Sequence, residues 1–147
     1  MYLDSELILS GTKSGATWTG QAICNDAATE ASTDYVDTLA AGNAIAPGAR
    51  IVVISTELFA GTGTTLTVSL QTCAESTFSS PTTLIASAAI AKAATTAKTI
   101  LLDAVIPPGV LRYLRVMYTA DSTSFETTGA AVAFITLDSD VRLDRGL

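Results

Sequence analysis

The chain is 147 residues long, carries a formal net charge of −6 and contains no histidine. The acidic balance argues against a DNA- or RNA-binding surface, which needs clustered Lys and Arg. The missing imidazole excludes a Ser-His-Asp triad, a Cys-His dyad and a Cys/His zinc site.

Apolar residues make up 48% of the chain and charged residues 15%, yet no uninterrupted apolar run is long enough to span a bilayer. A chain of this length suits one domain, residues 1–147, which hides about 70% of its unfolded surface and needs no staples. Low charge with much Ala, Thr and Val suggests a surface partly covered by a partner, or simply small apolar residues scattered in solvent.

Residues 2–9 are mixed. Leu3, Leu7 and Ile8 line either a helical turn or an extended arm over residues 1–10, and the segment reads equally as the first strand of the sheet. The arm reading expects that a chain cut back to Ser10 keeps its melting temperature. The opening residues hold two acids and no basic residue, unlike a secretory signal. Synthesis in a reducing cytoplasm is the expectation, with Cys24 and Cys73 as free, half-buried thiols.

Residues 10–15 read as a Gly/Ser/Thr loop, and residues 16–24, with Trp18, as a strand interrupted by Gly20. Residues 25–32 read as a loop or short helical turn. Thr33-Asp34-Tyr35-Val36-Asp37 alternates briefly and predicts a strand. Residues 39–49 hold Gly42, Asn43, Pro47 and Gly48, a connection. Arg50-Ile51-Val52-Val53-Ile54-Ser55 is a β-branched run of the kind found in central strands.

Gly61-Thr62-Gly63-Thr64-Thr65 lacks the lysine of a phosphate loop and precedes a strand, so it reads as a hairpin turn. Residues 64–72 alternate, with Leu66, Val68 and Leu70 facing in. Residues 73–81 are a polar loop carrying Phe78. Residues 92–98 are ambiguous, since Ala and Lys favour helix and Thr does not. Thr99-Ile100-Leu101-Leu102 restarts a strand, which Pro107-Pro108-Gly109 ends.

Leu114, Val116 and Tyr118 then share one face, and Tyr113, Arg115 and Met117 the other. A polar loop over residues 120–129 leads to Ala130-Ala131-Val132-Ala133-Phe134-Ile135-Thr136-Leu137, apolar on both faces as a covered strand is. These two runs read as a late antiparallel hairpin with an exposed loop. The charged tail, residues 138–147, alternates Asp138, Asp140 and Asp144 with Arg142 and Arg145. It lacks the spacing, Gly and Glu of a calcium loop and reads as solvated surface or a docking segment. About eight short strands separated by turn signals predict an all-β, jelly-roll-like antiparallel sandwich with an N-terminal arm and a short C-terminal tail.

Four segments in order and spacing carry a family resemblance. They are Met1-Tyr2-Leu3-Asp4-Ser5-Glu6-Leu7; Ser32-Thr33-Asp34-Tyr35-Val36-Asp37; Leu66-Thr67-Val68-Ser69-Leu70-Gln71-Thr72 with Phe78-Ser79-Ser80-Pro81-Thr82-Thr83-Leu84; and Pro107-Pro108-Gly109 with Arg112-Tyr113-Leu114-Arg115. The chain thereby resembles the capsid cement (decoration) proteins of tailed bacteriophages, of the jelly-roll kind.

The resemblance spans residues 1 to about 137, apart from residues 11–31. It implies a structural virion protein with no catalytic residues, cofactor or metal. Such a protein is made in the host cytoplasm, binds the outer surface of an icosahedral capsid, and bridges major capsid protein subunits. It also implies a homo-oligomer, a dimer or else a trimer, with no nucleic-acid or membrane partner. Tyr2, Leu3, Leu7, Ile8, Arg142, Leu143 and Arg145 are the expected capsid or subunit contacts. The rival is a carbohydrate-binding or adhesin-like module on the same fold, although an aromatic content of 6% supplies a sugar-stacking cleft poorly.

Overall fold

The computed structural model describes residues 7–25, 27–39, 45–121, 125 and 128–137. The chain is built from antiparallel strands: β1 (Ile8–Ser10), β2 (Thr12–Ser14), β3 (Thr17–Thr19), β4 (Gln21–Ala22), β5 (Thr29–Ala31), β6 (Val36–Asp37), β7 (Arg50–Ser55), β8 (Thr65–Cys73), β9 (Thr82–Ala86), β10 (Ile90–Ala91), β11 (Ile100–Val105), β12 (Tyr113–Ala120) and β13 (Ala130–Thr136). The ambiguous run before β11 forms a 3-10 turn, Lys92–Ala94.

Two sheets form the sandwich. One runs β1-β13-β7-β11, with β4 also on β13; the other runs β10-β8-β12-β5, with β9 on β8 and β6 on β12. The short strands β1 and β4 lie end to end along β13, as do β9 and β10 along β8, and β5 and β6 along β12. Each sheet is therefore four positions wide. Numbered along the chain, the positions run 1-8-3-6 in one sheet and 5-4-7-2 in the other. First pairs with last, second with seventh, third with sixth and fourth with fifth, which is the jelly-roll wrapping.

The alternating runs supply the core. Leu66, Val68 and Leu70 on β8, and Leu114, Val116 and Tyr118 on β12, are fully buried. They meet Ile51, Val53, Ala131, Ala133 and Ile135 of the opposing sheet in one cluster. A second cluster, Ile8, Val52, Ile54, Val132 and Phe134, occupies the other face of β7 and β13. The β2–β3 hairpin brings Trp18 onto it, stacked on Phe134 at 5.3 Å. That explains why β7 and β13 carry apolar residues on both faces.

Local patterning misleads where connections cross between sheets. β12 and β13 are not a hairpin: they belong to opposite sheets, so the chain crosses from one sheet to the other between them. Nor is this connection only a surface feature, because Phe125 is fully buried. Likewise β7 and β8 lie in different sheets, so Gly61 to Thr65 is a crossover and not a hairpin turn. Gly61, at φ +124°, has room for no Cβ, which would lie 1.0 Å from the Phe125 carbonyl oxygen.

The strand expected over residues 16–24 breaks at Gly20 into β3 and β4, which join different sheets. A Cβ on Gly20 would lie 2.2 Å from Thr56 Oγ1. The supposed loops at residues 10–15 and 25–32 contain β2 and β5, whose strand character comes from their partners. Only Val36 and Asp37 of the run 33–37 form a strand.

The two long sides of the sandwich differ. On one, Gln21 spans the sheets: its Nε2 donates to the Ala31 carbonyl (2.8 Å) and its Oε1 accepts from the Thr33 N–H (2.9 Å). The Asp34 N–H donates to the Leu9 carbonyl at 3.0 Å on the same side. On the other, no strand among the described residues pairs with the outer edge of β11, and Ile100 and Val105 are 41% and 48% exposed.

Candidate functional site

The outward face of β12 carries Tyr113, Arg115, Met117 and Thr119, as period-two alternation requires. Tyr113 pairs in register with Cys73 of β8 and Asp37 of β6, and Arg115 with Gln71. Two connections add rings to this face. Tyr35, just before β6, is 49% exposed. Phe78 sits at φ +50° in a turn closed by its N–H to the Glu75 carbonyl (3.1 Å). Tyr35, Phe78 and Tyr113 meet edge to face, with centroids 5.5–6.5 Å apart.

Two arginines frame the rings and differ in charge balance. Arg112 lies over Tyr113 at 5.1 Å and grips Asp37 with both Nε and Nη2, each at 2.9 Å. The Arg112 hydrogen bonds hold the Asp37 carboxyl below the usual carboxylate range. Arg115 lies over Phe78 at 4.3 Å, and its Nε donates to Gln71 Oε1 at 3.0 Å. Burial lowers its pKa, but a guanidinium this basic stays charged. No carboxylate among the described residues forms an ion pair with it. The result is a rigid, half-buried cation stacked on an aromatic ring, with Nη1 and Nη2 uncommitted among the described residues. This face contains no nucleophile with an adjacent base.

A separate pocket of about 290 Å³ is lined by apolar side chains, including Ile45, Pro47, Ile106, Pro107 and Val110. Its lining carries no polar side chain among the described residues. Among the described residues no cluster of three or more His, Cys, Asp or Glu side chains could hold a metal ion. Among the described residues no helix is long and apolar enough to cross a membrane.

Cys24 and Cys73 are free, as expected, but fully and not half buried, at 0% and 3% exposure. Burial pushes the Cys24 thiol up to about 11. A raised folded pKa leaves stability intact below the unfolded thiol's value near 9 and removes it as pH climbs towards 11. Stability is expected to fall by on the order of 2 kcal/mol from this group over that window. Burial also raises the pKa of Tyr118, which adds to the decline above its ordinary value of 10. In denaturation curves between pH 8 and 11, Cys24→Ser should flatten the part between 9 and 10. An unchanged slope there would show that Cys24 does not titrate on unfolding.

Of the expected contact residues, Tyr2, Leu3, Arg142, Leu143 and Arg145 lie outside the described residues. Leu7 and Ile8 do not belong to a free arm. Leu7 packs on the main core, and Ile8, 8% exposed, joins the second cluster from within β1. The segment pairs with β13 because burying Ile8 and Leu9 in their own sheet satisfies both backbone and side chains. The Tyr35–Phe78–Tyr113–Arg115 face was only half legible in the sequence. Alternation placed Tyr113 and Arg115 together, but nothing local brings Tyr35 and Phe78 to them.

The sequence profile of the Bbp16 family matches residues 18–135, most of the chain and nearly all of the sandwich. None of the curated proteins matches it.

Proposed function

The chain belongs to the Bbp16 family of phage structural proteins, and we propose that it serves as a capsid cement subunit. In this reading it binds the outer surface of an icosahedral phage capsid, bridges major capsid protein subunits and performs no catalysis. The family match across the sandwich carries the reading, since it points to a phage structural protein. The jelly roll and its arginine–aromatic face are in keeping with it. A ligand that binds only the assembled shell stabilises that shell by linkage, and many copies on one lattice make modest contacts sufficient.

The subunit also self-associates, as a dimer or else a trimer burying roughly 800 Å² per partner. The open side at β11 is the natural place for it. Tyr2, Leu3, Arg142, Leu143 and Arg145 are proposed as additional contacts.

The test is co-sedimentation with purified empty capsids beside a glycan array, with light scattering of the chain alone. The chain should sediment with capsids, raise their disassembly temperature and ignore glycans. Glycan binding without capsid binding would replace this reading with a carbohydrate-binding module. A monomer at high concentration would remove self-association.

A further inference from the structure

We propose that the Arg115 face is the docking surface for the shell, and that its occupant is a carboxylate-bearing loop of a capsid subunit. The inference rests on the cement reading above and goes further by naming the surface and the chemistry of its partner. Arg115 is held in place before any partner arrives. Phe78 lies under the guanidinium plane at 4.3 Å, and Gln71 takes Nε at 3.0 Å. The outer edge of the fork, Nη1 and Nη2, is left without a partner among the described residues. It matches the two oxygens of a carboxylate.

Its neighbour Arg112 shows what a satisfied arginine looks like here, with both hydrogen bonds to Asp37 in place. Arg115 differs: its Nε is held by the neutral Gln71 side chain, and no carboxylate among the described residues meets its charge. Tyr113, half-buried, and Tyr35, 49% exposed, provide apolar rings beside the charge, the combination found where binding energy concentrates.

The charge pattern selects among occupants. A nucleic acid is disfavoured, because a polyanion meets a chain of net charge −6 with one uncompensated cation on this face. A second copy bound face to face would have to offer a carboxylate to Arg115, and Asp37, the acid in register with Tyr113, is already held by Arg112. A protein loop presenting one Asp or Glu among apolar neighbours satisfies both the cation and the rings.

The experiment measures occupancy of purified, undecorated shells by wild type, Arg115→Ala and Arg115→Lys. Removing one partner of a desolvated charge pair is expected to raise the concentration for half-occupancy by at least about 30-fold. Arg115→Lys keeps the charge but loses the fork and should fall between. The melting temperature of each isolated variant should stay within about 2 °C of wild type, as for a surface change.

Shells whose carboxylates have been amidated with glycinamide should bind wild type as weakly as they bind Arg115→Ala, while that variant loses little more. If wild type binds shells and Arg115→Ala binds equally well, the docking surface lies elsewhere. An amidation effect of equal size on both proteins would show that no carboxylate faces Arg115. Normal shell occupancy with a lowered oligomeric state in Arg115→Ala would assign the face to a second copy. If wild type fails to bind shells, the cement reading falls, and this inference with it.

Discussion

Phe125→Ala is expected to cost the isolated subunit about 3–5 kcal/mol, the range for deleting a buried aromatic ring. The residue sits in a connection whose composition is polar, yet it is 0% exposed and belongs to the main core. Its ring meets Phe59 edge to face at 5.0 Å, and its N–H donates to the Cys24 carbonyl at 2.8 Å. Gly61 abuts its carbonyl so closely that a Cβ there would lie 1.0 Å from the oxygen. The crossover from β7 to β8 and the one from β12 to β13 therefore close the same end of the sandwich on this ring. Rigid neighbours cannot collapse into the space the ring leaves, so the cavity term adds to the lost burial. Leu58→Ala, in the same region but at a side chain 50% exposed, should change stability by less than about 0.5 kcal/mol. Urea denaturation of the two variants decides the matter. A loss below about 1 kcal/mol for Phe125→Ala would mean that the ring does not close the core.

Removing residues 1–10 is expected to unfold the isolated subunit, in contrast to the behaviour of a free arm. The cut takes away Leu9 and Ser10, both 0% exposed, and Ile8 at 8%. Burial of a Leu or Ile stabilises by roughly 1.5–3 kcal/mol each. The Tyr118 hydroxyl, fully buried, donates to Ser10 Oγ at 2.8 Å across the two sheets and would lose that acceptor. An orphaned buried hydroxyl costs about 1–3 kcal/mol more. β13 would lose the pairings of Phe134 and Ala133, and the Asp34 N–H would lose the Leu9 carbonyl. Together these losses rival the whole stability of an ordinary domain, about 5–15 kcal/mol. Leu9→Ala gives a graded version, with an expected loss of about 2–5 kcal/mol. A truncated chain that melts at the wild-type temperature would show that the segment is a free arm after all.

The sequence by itself determined the strands whose side chains alternate: β8 and β12 with their inward Leu, Val and Tyr, and the doubly apolar β7 and β13. It also determined the fold class, because many short alternating runs broken by Gly and Pro have few ways to bury their apolar faces other than a two-sheet sandwich. Those signals are local, since a strand's two faces are written in its own residues. Pairing is not local. Whether β12 turns back on itself or crosses to the other sheet depends on what lies beside it, and only the tertiary structure placed β12 and β13 in opposite sheets.

The same limit hid β2 and β5 and left β1 open between a strand and an arm, each being only three residues long and held by its partners more than by its own propensity. It also hid the burial of Phe125, a lone ring in a polar stretch. At the surface, alternation put Tyr113 and Arg115 on one outward face. Phe78 and Tyr35 reach that face from segments 35 and 78 residues before Tyr113 in the chain. Only the folded arrangement leaves Arg112 paired with Asp37 and Arg115 facing outward with its charge unmatched among the described residues.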